Sequence, residues 1–384
     1  MTDISDWAGL RAPGSGAALR PEGPHALCEP DGRRWPVVDG IPFLRLGREA
    51  LAADALARLD AGDRAGALAL LLADQDDWWT GPPANPADLA RLVAEAGTLS
   101  LRDAMGLLGF GRVGDYFAHR WSDPTYLAGL SLIEAHGGAA ASAFELACGI
   151  GHYGREFIRR GVAYTGADVV FAKLWLARHW VAGPGARLVC FDAAAPWPVA
   201  SGSFDLVLCQ DAFYFLDPKP EILGRLRGLL AAAGLLAVGH VHNREVENHS
   251  AGRAVTAAEL ARLFPDGLFY DDAELTRALV EGHVPVPGAP EALRGVEAFA
   301  VAAGPGRGAP GSLAGGYAMP PPGAAPRPNP LYGDDGALRF PSERYASEYG
   351  GLATYPPRFA PSPDDASRAA AIRCRALVDL PERW

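Results

Sequence analysis

Over the middle of the chain, short and nearly uninterrupted apolar runs alternate with longer mixed stretches, and this alternation predicts buried strands separated by helices. Ala143-Phe144-Glu145-Leu146 predicts a first strand, Val162 to Ala167 a second and Arg187-Leu188-Val189-Cys190-Phe191 a third. Gly202 to Cys209 predicts a fourth, Gly234 to Val238 a fifth and Val296 to Ala302 a last one, with short helices at Thr256 to Phe264 and Asp271 to Glu281. Upstream, alanine and leucine recur at helical spacing from Glu49 to Leu71 and from Asp88 to Leu108. Between these, Asp76 to Pro83 breaks the pattern and is expected to expose Trp78 and Trp79. Residues 305–330 are rich in Pro, Gly and Ala and read as a flexible linker or extended wrap. Phe340 to Tyr349 and Ala369 to Leu380 keep large apolar groups that a disordered tail rarely keeps, so this tail is expected to dock on the body or on a second subunit.

The first strand breaks into Ala147-Cys148-Gly149-Ile150-Gly151, small residues alternating with glycines. Such a turn lets backbone N–H groups approach a ligand closely, and a nucleotide-like cofactor is expected there. Gly149, Gly151 and Gly154 also carry the dinucleotide spacing GxGxxG, so the glycines alone do not select the cofactor. The second strand ends at Asp168, an acid placed to accept the hydroxyls of a ribose, and the third is closed by Asp192 with Ala193 behind it. Taken singly, either acid serves equally as a helix N-cap, and Cys148 reads as a space-filler.

Taken in order, ExAxGxG, GxD, the lone Asp after the third strand, SFDLV on the fourth and the glycine opening the fifth resemble the class I S-adenosylmethionine-dependent methyltransferases over Ala143 to Gly239. The resemblance implies an α/β, Rossmann-like, doubly wound and mostly parallel seven-stranded sheet, with an N-terminal helical lid and a small N-terminal β-hairpin module. It implies that Gly149 and Gly151, with Ala147, line the amino-acid portion of S-adenosylmethionine and that Glu145 braces the turn. Asp168 would hold the ribose hydroxyls, Val169 would pack on the adenine, Asp192 and Ala193 would meet its exocyclic amine, and Gln210 would lie near the methionine moiety. The helices before the glycine turn commonly form a lid in this family, which makes Tyr116, His119, Arg120 and Trp121 candidate lid residues; a helix packing these aromatics into the core is the equal alternative.

Leu10 to Leu44 resembles the small zinc-ribbon-like module that activates tRNA methyltransferases, with the hairpin Pro36-Val37-Val38-Asp39-Gly40-Ile41-Pro42-Phe43-Leu44. Its first knuckle is replaced by Ala12 and Ser15 and only Cys28 remains of the second, so four tetrahedral ligands are not available and no metal is expected. The hairpin is expected to persist by packing Trp35, Val37, Ile41 and Phe43. The domain boundaries expected are 1–46 for this module, 47–136 for the helical lid, 137–304 for the cofactor domain, 305–330 for the linker and 331–384 for the docking tail.

A net charge of -10 argues against a broad nucleic-acid surface. Five scattered cysteines, an acidic Met1 to Asp6 without signal-peptide character and no apolar run of membrane-spanning length together lead to a cytoplasmic protein. Abundant Ala, Gly, Pro and Arg suggest a GC-rich, bacterial source. Methyl transfer needs a positioned nucleophile and at most one base. His240 and His242 are expected to share a face at the end of the fifth strand, at the sheet edge where open α/β folds place their chemistry, ahead of a polar loop at Val246 to Gly252. Tyr214 stands where many small-molecule methyltransferases carry a histidine. His240, His242 and Tyr214 are therefore the candidate catalytic residues. The expected activity is methylation of O, N or C of a small metabolite, with a possible homodimer through the terminal extensions. An RNA-base methyltransferase, a cofactor-binding protein without catalysis and an NAD-dependent oxidoreductase are the alternatives.

Overall fold

A computed structural model describes residues 7, 9–248, 250, 252–313, 316–361 and 364–384. The acidic stretch Met1 to Asp6 and loop residues His249 and Ala251 lie outside the described residues. Four short strands come first: β1 (Arg20–Glu22), β2 (Ala26–Cys28), β3 (Arg34–Val38) and β4 (Ile41–Pro42). Helices α1 (Glu49–Asp60), α2 (Arg64–Ala73), α3 (Pro86–Glu95), α4 (Leu101–Leu107), α5 (Arg112–His119) and α6 (Pro124–Gly137) follow. The central part runs β5 (Ser142–Leu146), α7 (His152–Arg159), β6 (Ala163–Asp168), α8 (Phe171–Leu176), β7 (Arg187–Cys190), β8 (Phe204–Gln210), α9 (Lys219–Gly228) and β9 (Leu230–His242). It continues through α10 (Ala257–Leu263), β10 (Leu268–Asp271), α11 (Asp272–Glu281) and β11 (Ala298–Ala303). The tail holds β12 (Arg327–Pro328), α12 (Glu343–Tyr349), α13 (Asp365–Arg373) and β13 (Leu377–Val378).

β1 to β4 form a small sheet in sequence order, and a mixed, mostly parallel seven-stranded sheet runs β10-β11-β9-β8-β5-β6-β7. The α/β, Rossmann-like architecture is thus present. Pairs β5–β6 and β6–β7 are parallel, whereas β11 lies antiparallel to both β9 and β10. Parallel neighbours need helical crossovers, which α7 and α8 supply, and the strands they bury read as apolar in sequence for that reason. Among the described residues no helix is long and apolar enough to cross a membrane.

The chain folds as two compact units, each built from separated segments. The first comprises Met1–Gly114, Ser142–Phe204 and Pro381–Trp384. Here the small sheet buries Trp35, Val37, Ile41 and Phe43, and the Trp35 indole donates to Glu29 at 2.9 Å. Past β4, Phe43 bridges Cys190 in parallel and Leu44 N donates to Cys190 O at 2.7 Å, so the module extends the sheet beside β7. The helical spacing from Glu49 to Leu71 is realised as two helices, because Gly62 adopts φ +83 and Asp63 restarts the chain by capping Gly66 N at 2.8 Å. Asp88 to Leu108 is likewise split, with Ser100 capping α4. Trp78 is exposed, but the Trp79 ring packs tilted against Phe110 with centroids 6.4 Å apart.

The second unit comprises Asp115–Ala141 and Asp205–Leu380. Its α6 is buried on nearly every side. Residues 305–330 are not a free linker: Leu313 and Tyr317 are buried, and the Glu134 carboxylate accepts from Gly316 N and Tyr317 N. The tail packs Leu331, Tyr345, Tyr349, Tyr355 and Ile372 into a cluster of their own.

Candidate functional site

In the first unit, β5 delivers the glycine turn. Ala147, Gly149 and Gly151 take φ of 55, 56 and 79, so the chain coils left-handed at alternate residues before α7 begins. The left-handed region costs most residues about 1–2 kcal/mol, and a non-glycine at such a φ marks a place where surrounding structure imposes the geometry. Gly151 has a second constraint: a Cβ there would stand 3.1 Å from the Ala177 Cβ and 3.3 Å from that of Ala182. Glu145 is buried and accepts the Tyr164 hydroxyl at 2.6 Å, which ties β5 to β6 beneath the turn.

Asp168 ends β6 buried, with Oδ2 accepting from Gly149 N at 3.0 Å and Oδ1 from Val170 N at 2.9 Å, while Lys173 Nζ lies 3.7 Å away. The acid and the glycine turn, separated in sequence, thus meet directly. Each carboxylate oxygen retains a further lone pair for a ligand hydroxyl. Val169 is partly exposed beside it. Asp192 Oδ1 accepts from Ala194 N at 2.8 Å, closing a turn with no helix behind it to cap, and Ala193 is buried. These residues fit a nucleoside carrying a charged amino-acid arm: close backbone approach at the glycines, a carboxylate for the ribose and apolar flanks for the base.

In the second unit, β8 ends at Gln210, whose buried amide donates to Ala237 O at 3.4 Å. Asp211 follows at φ 53, and His240 in β9 takes φ 51. His240 is therefore not in the regular extension assumed from sequence; the β9–β11 register shifts between Phe299 and Val301. The two imidazoles nonetheless meet, with ring centroids 4.6 Å apart, and the Tyr214 ring lies 4.7 Å from that of His242. The three candidate catalytic side chains are together.

Asp211 is the centre that brings them together, and sequence reasoning passed over it. Its Oδ1 accepts the Tyr214 hydroxyl at 2.7 Å, and Oδ2 accepts the Tyr116 hydroxyl at 2.5 Å and Arg120 Nη1 at 2.9 Å. Burial works against its charge, but His240, Arg120 and the phenols hold the carboxyl down at about 2. His240 Nε2 lies 3.9 Å from Oδ1. Burial also opposes charge on His240, yet Asp211 and Asp272 outweigh it and raise the imidazole to about 9. One donor atom from each of Asp211, His240 and His242 lies within 4.8 Å of the others.

Two more acids went unnoticed because nothing local marks them. Asp272, the first residue of α11, engages His240 Nδ1 at 2.8 Å, and Glu297, just before β11, engages His242 Nδ1 at 3.0 Å. Of the four lid candidates, Tyr116 and Arg120 reach Asp211, with the guanidinium 4.8 Å above the Tyr116 ring. His119 and Trp121 are buried, and the His119 ring lies 5.9 Å from that of Tyr345. Tyr345 of α12 donates its hydroxyl to Asp123, a fully buried carboxyl that burial raises to about 7.

Residues 144–238 match the family described as methyltransferase domain. No curated protein matches the chain. Among solved structures, a TehB-like S-adenosylmethionine-dependent methyltransferase from Corynebacterium glutamicum is 20% identical over 46% of this chain and 85% of its own, with a TM-score of 0.33. An amino pentose methyltransferase from Micromonospora echinaspora, solved with S-adenosylmethionine bound, is 26% identical over 32% of this chain and 52% of its own, at 0.27. A complex of a methyltransferase activator and a methyltransferase from Haloferax volcanii is 18% identical over 54% of this chain and 94% of that one, at 0.38. The match to the methyltransferase family makes S-adenosylmethionine the cofactor. Over residues 144–238 the chain carries a methyltransferase domain.

Proposed function

We propose that the protein methylates an oxygen, nitrogen or carbon of a small-molecule metabolite. The observation that carries this reading is the enclosed polar cluster around Asp211: the side chains of Asp211, His240, His242 and Arg120 are each less than a tenth exposed. A polymer surface does not reach such groups, whereas a small acceptor enclosed among them does. The net charge of -10 likewise gives no support to an RNA acceptor.

Bound S-adenosylmethionine supplies a methyl carbon on a positively charged sulfur. Gly149, Gly151 and Asp168 would bind it, with Val169, Asp192 and Ala193 against the base. The acceptor's nucleophile has to shed a proton as its new bond to carbon forms and the carbon–sulfur bond breaks toward sulfur. Asp211, His240 and His242 orient the acceptor, Tyr214 and Tyr116 fix the carboxylate, and the acceptor's proton leaves to water. Helix α12 covers Asp123 in the same unit through Tyr345.

Calorimetry with S-adenosylhomocysteine and with NAD, followed by mass-spectrometric screening of metabolite extracts for mass gain, tests the proposal. Binding of the first ligand alone, with transfer to a small molecule, supports it. Steeply salt-dependent retention on heparin with methylation of RNA would replace it.

A further inference from the structure

Each imidazole of the cluster is held through Nδ1 by a carboxylate, His240 by Asp272 at 2.8 Å and His242 by Glu297 at 3.0 Å. That leaves Nε2 on both rings to coordinate, and a carboxylate behind the ring is how proteins fix the tautomer and aim of a metal-binding histidine. The third group, Asp211, has its two oxygens differently employed. Oδ2 is taken by Tyr116 and Arg120, whereas Oδ1 accepts a single phenol and faces His240 Nε2 at 3.9 Å. One lone pair of Oδ1 is therefore unassigned.

Two imidazoles and one carboxylate have donor atoms within 4.8 Å of one another, so inward movements of under about 1 Å would bring all three to bonding distance from one ion. Both Asp211 and His240 occupy the left-handed region, where surrounding structure has to impose the geometry. No metal was expected from the sequence, because only the N-terminal cysteines had been weighed as ligands.

We propose that Asp211, His240 and His242 bind one divalent cation of the Zn2+, Mn2+, Fe2+ or Co2+ class, with open positions that receive an ionisable oxygen of the methyl acceptor. This rests on the methyl-transfer reading for its substrate, though not for its ligands. An acceptor hydroxyl on the ion loses its proton to water more readily, which leaves the oxygen as the nucleophile.

The test is a cobalt titration of chelator-treated full-length protein, followed by visible absorption and by metal analysis after dialysis, with S-adenosylhomocysteine affinity measured on the same samples. One equivalent of Co2+ with visible bands is expected, weakened at least about tenfold in His242→Gln and in Asp211→Asn. Glu297→Gln, at a half-exposed carboxylate outside the proposed ligand set, should weaken cobalt about 10- to 100-fold while leaving the nucleoside affinity unchanged. Protein that binds S-adenosylhomocysteine but takes up no cobalt overturns the inference, as does undiminished uptake in His240→Gln/His242→Gln. Cobalt bound through these residues in protein that ignores S-adenosylhomocysteine supports the ion site and overturns the methyl-transfer reading instead.

Discussion

His240 and Asp272 are 32 positions apart in the chain, yet the Nδ1 of one lies 2.8 Å from a carboxylate oxygen of the other. The contact fixes which nitrogen His240 presents to Asp211. Asp272→Asn should lower kcat about 10- to 100-fold with little change in KM for the methyl donor, and Asp272→Glu should restore part of it. His240→Ala should cost about 100- to 10,000-fold in kcat. Steady-state kinetics on purified variants, with circular dichroism to confirm folding, decides; equal losses in kcat and donor binding would contradict the positioning role.

Asp168→Ala removes the acceptor for Gly149 N and Val170 N together with the proposed ribose ligand. Hydrogen bonds to a charged group contribute about 1.5–3 kcal/mol each, so S-adenosylhomocysteine affinity should fall about 10- to 100-fold or more. Unchanged calorimetric affinity would move the cofactor elsewhere.

Gly151 and Gly161 offer a matched pair, at φ 79 and 76, but only Gly151 has neighbours where a Cβ would stand. Gly161→Ala should cost only the conformational strain of about 1–2 kcal/mol. Gly151→Ala adds the squeeze against Ala177 and Ala182 and should cost more in urea unfolding, with weaker cofactor binding besides. Equal effects of the two substitutions would remove the packing argument.

Asp123 sets a pH dependence of stability. Burial raises its carboxyl from 3.8 to about 7, against the hydrogen bond from Tyr345. The folded protein therefore holds a proton that the unfolded chain has released, and unfolding sheds it. Stability contributed by this group is complete below about pH 4 and is lost as pH rises toward 7, with a slope of at most ~1.4 kcal/mol per pH unit. Asp123→Asn should flatten that decline, so its stability relative to wild type should improve between pH 4 and 7. Urea midpoints across this range provide the measurement, and parallel curves would exclude the effect.

The glycine turn, Asp168 at its strand end and the proximity of His240 and His242 were legible because each rests on local pattern: an apolar run into glycines, an acid at a strand end, two residues of one strand. Asp272 and Glu297 were not, since their reach to the histidines depends on α11 and on the alignment of β11 with β9. His240 shows the opposite error, a correct neighbour reached for an incomplete reason. Period two assumed an extended strand, whereas a shifted register and a left-handed residue bring the rings together. For residues 305–330 composition left a flexible linker and an extended wrap open, because Pro and Gly counts are blind to a single carboxylate, Glu134, that pins the backbone.

The bond from Leu44 to Cys190 gives the N-terminal module a use that requires no metal. β7 is the last strand of the large sheet, and its outward backbone groups would otherwise be a template for a stray strand from another chain. Phe43 and Leu44 occupy part of that rim. The N-terminal sheet can therefore act as a guard against self-association, and a chain shortened to begin at Gly47 would be expected to clump before it lost its cofactor.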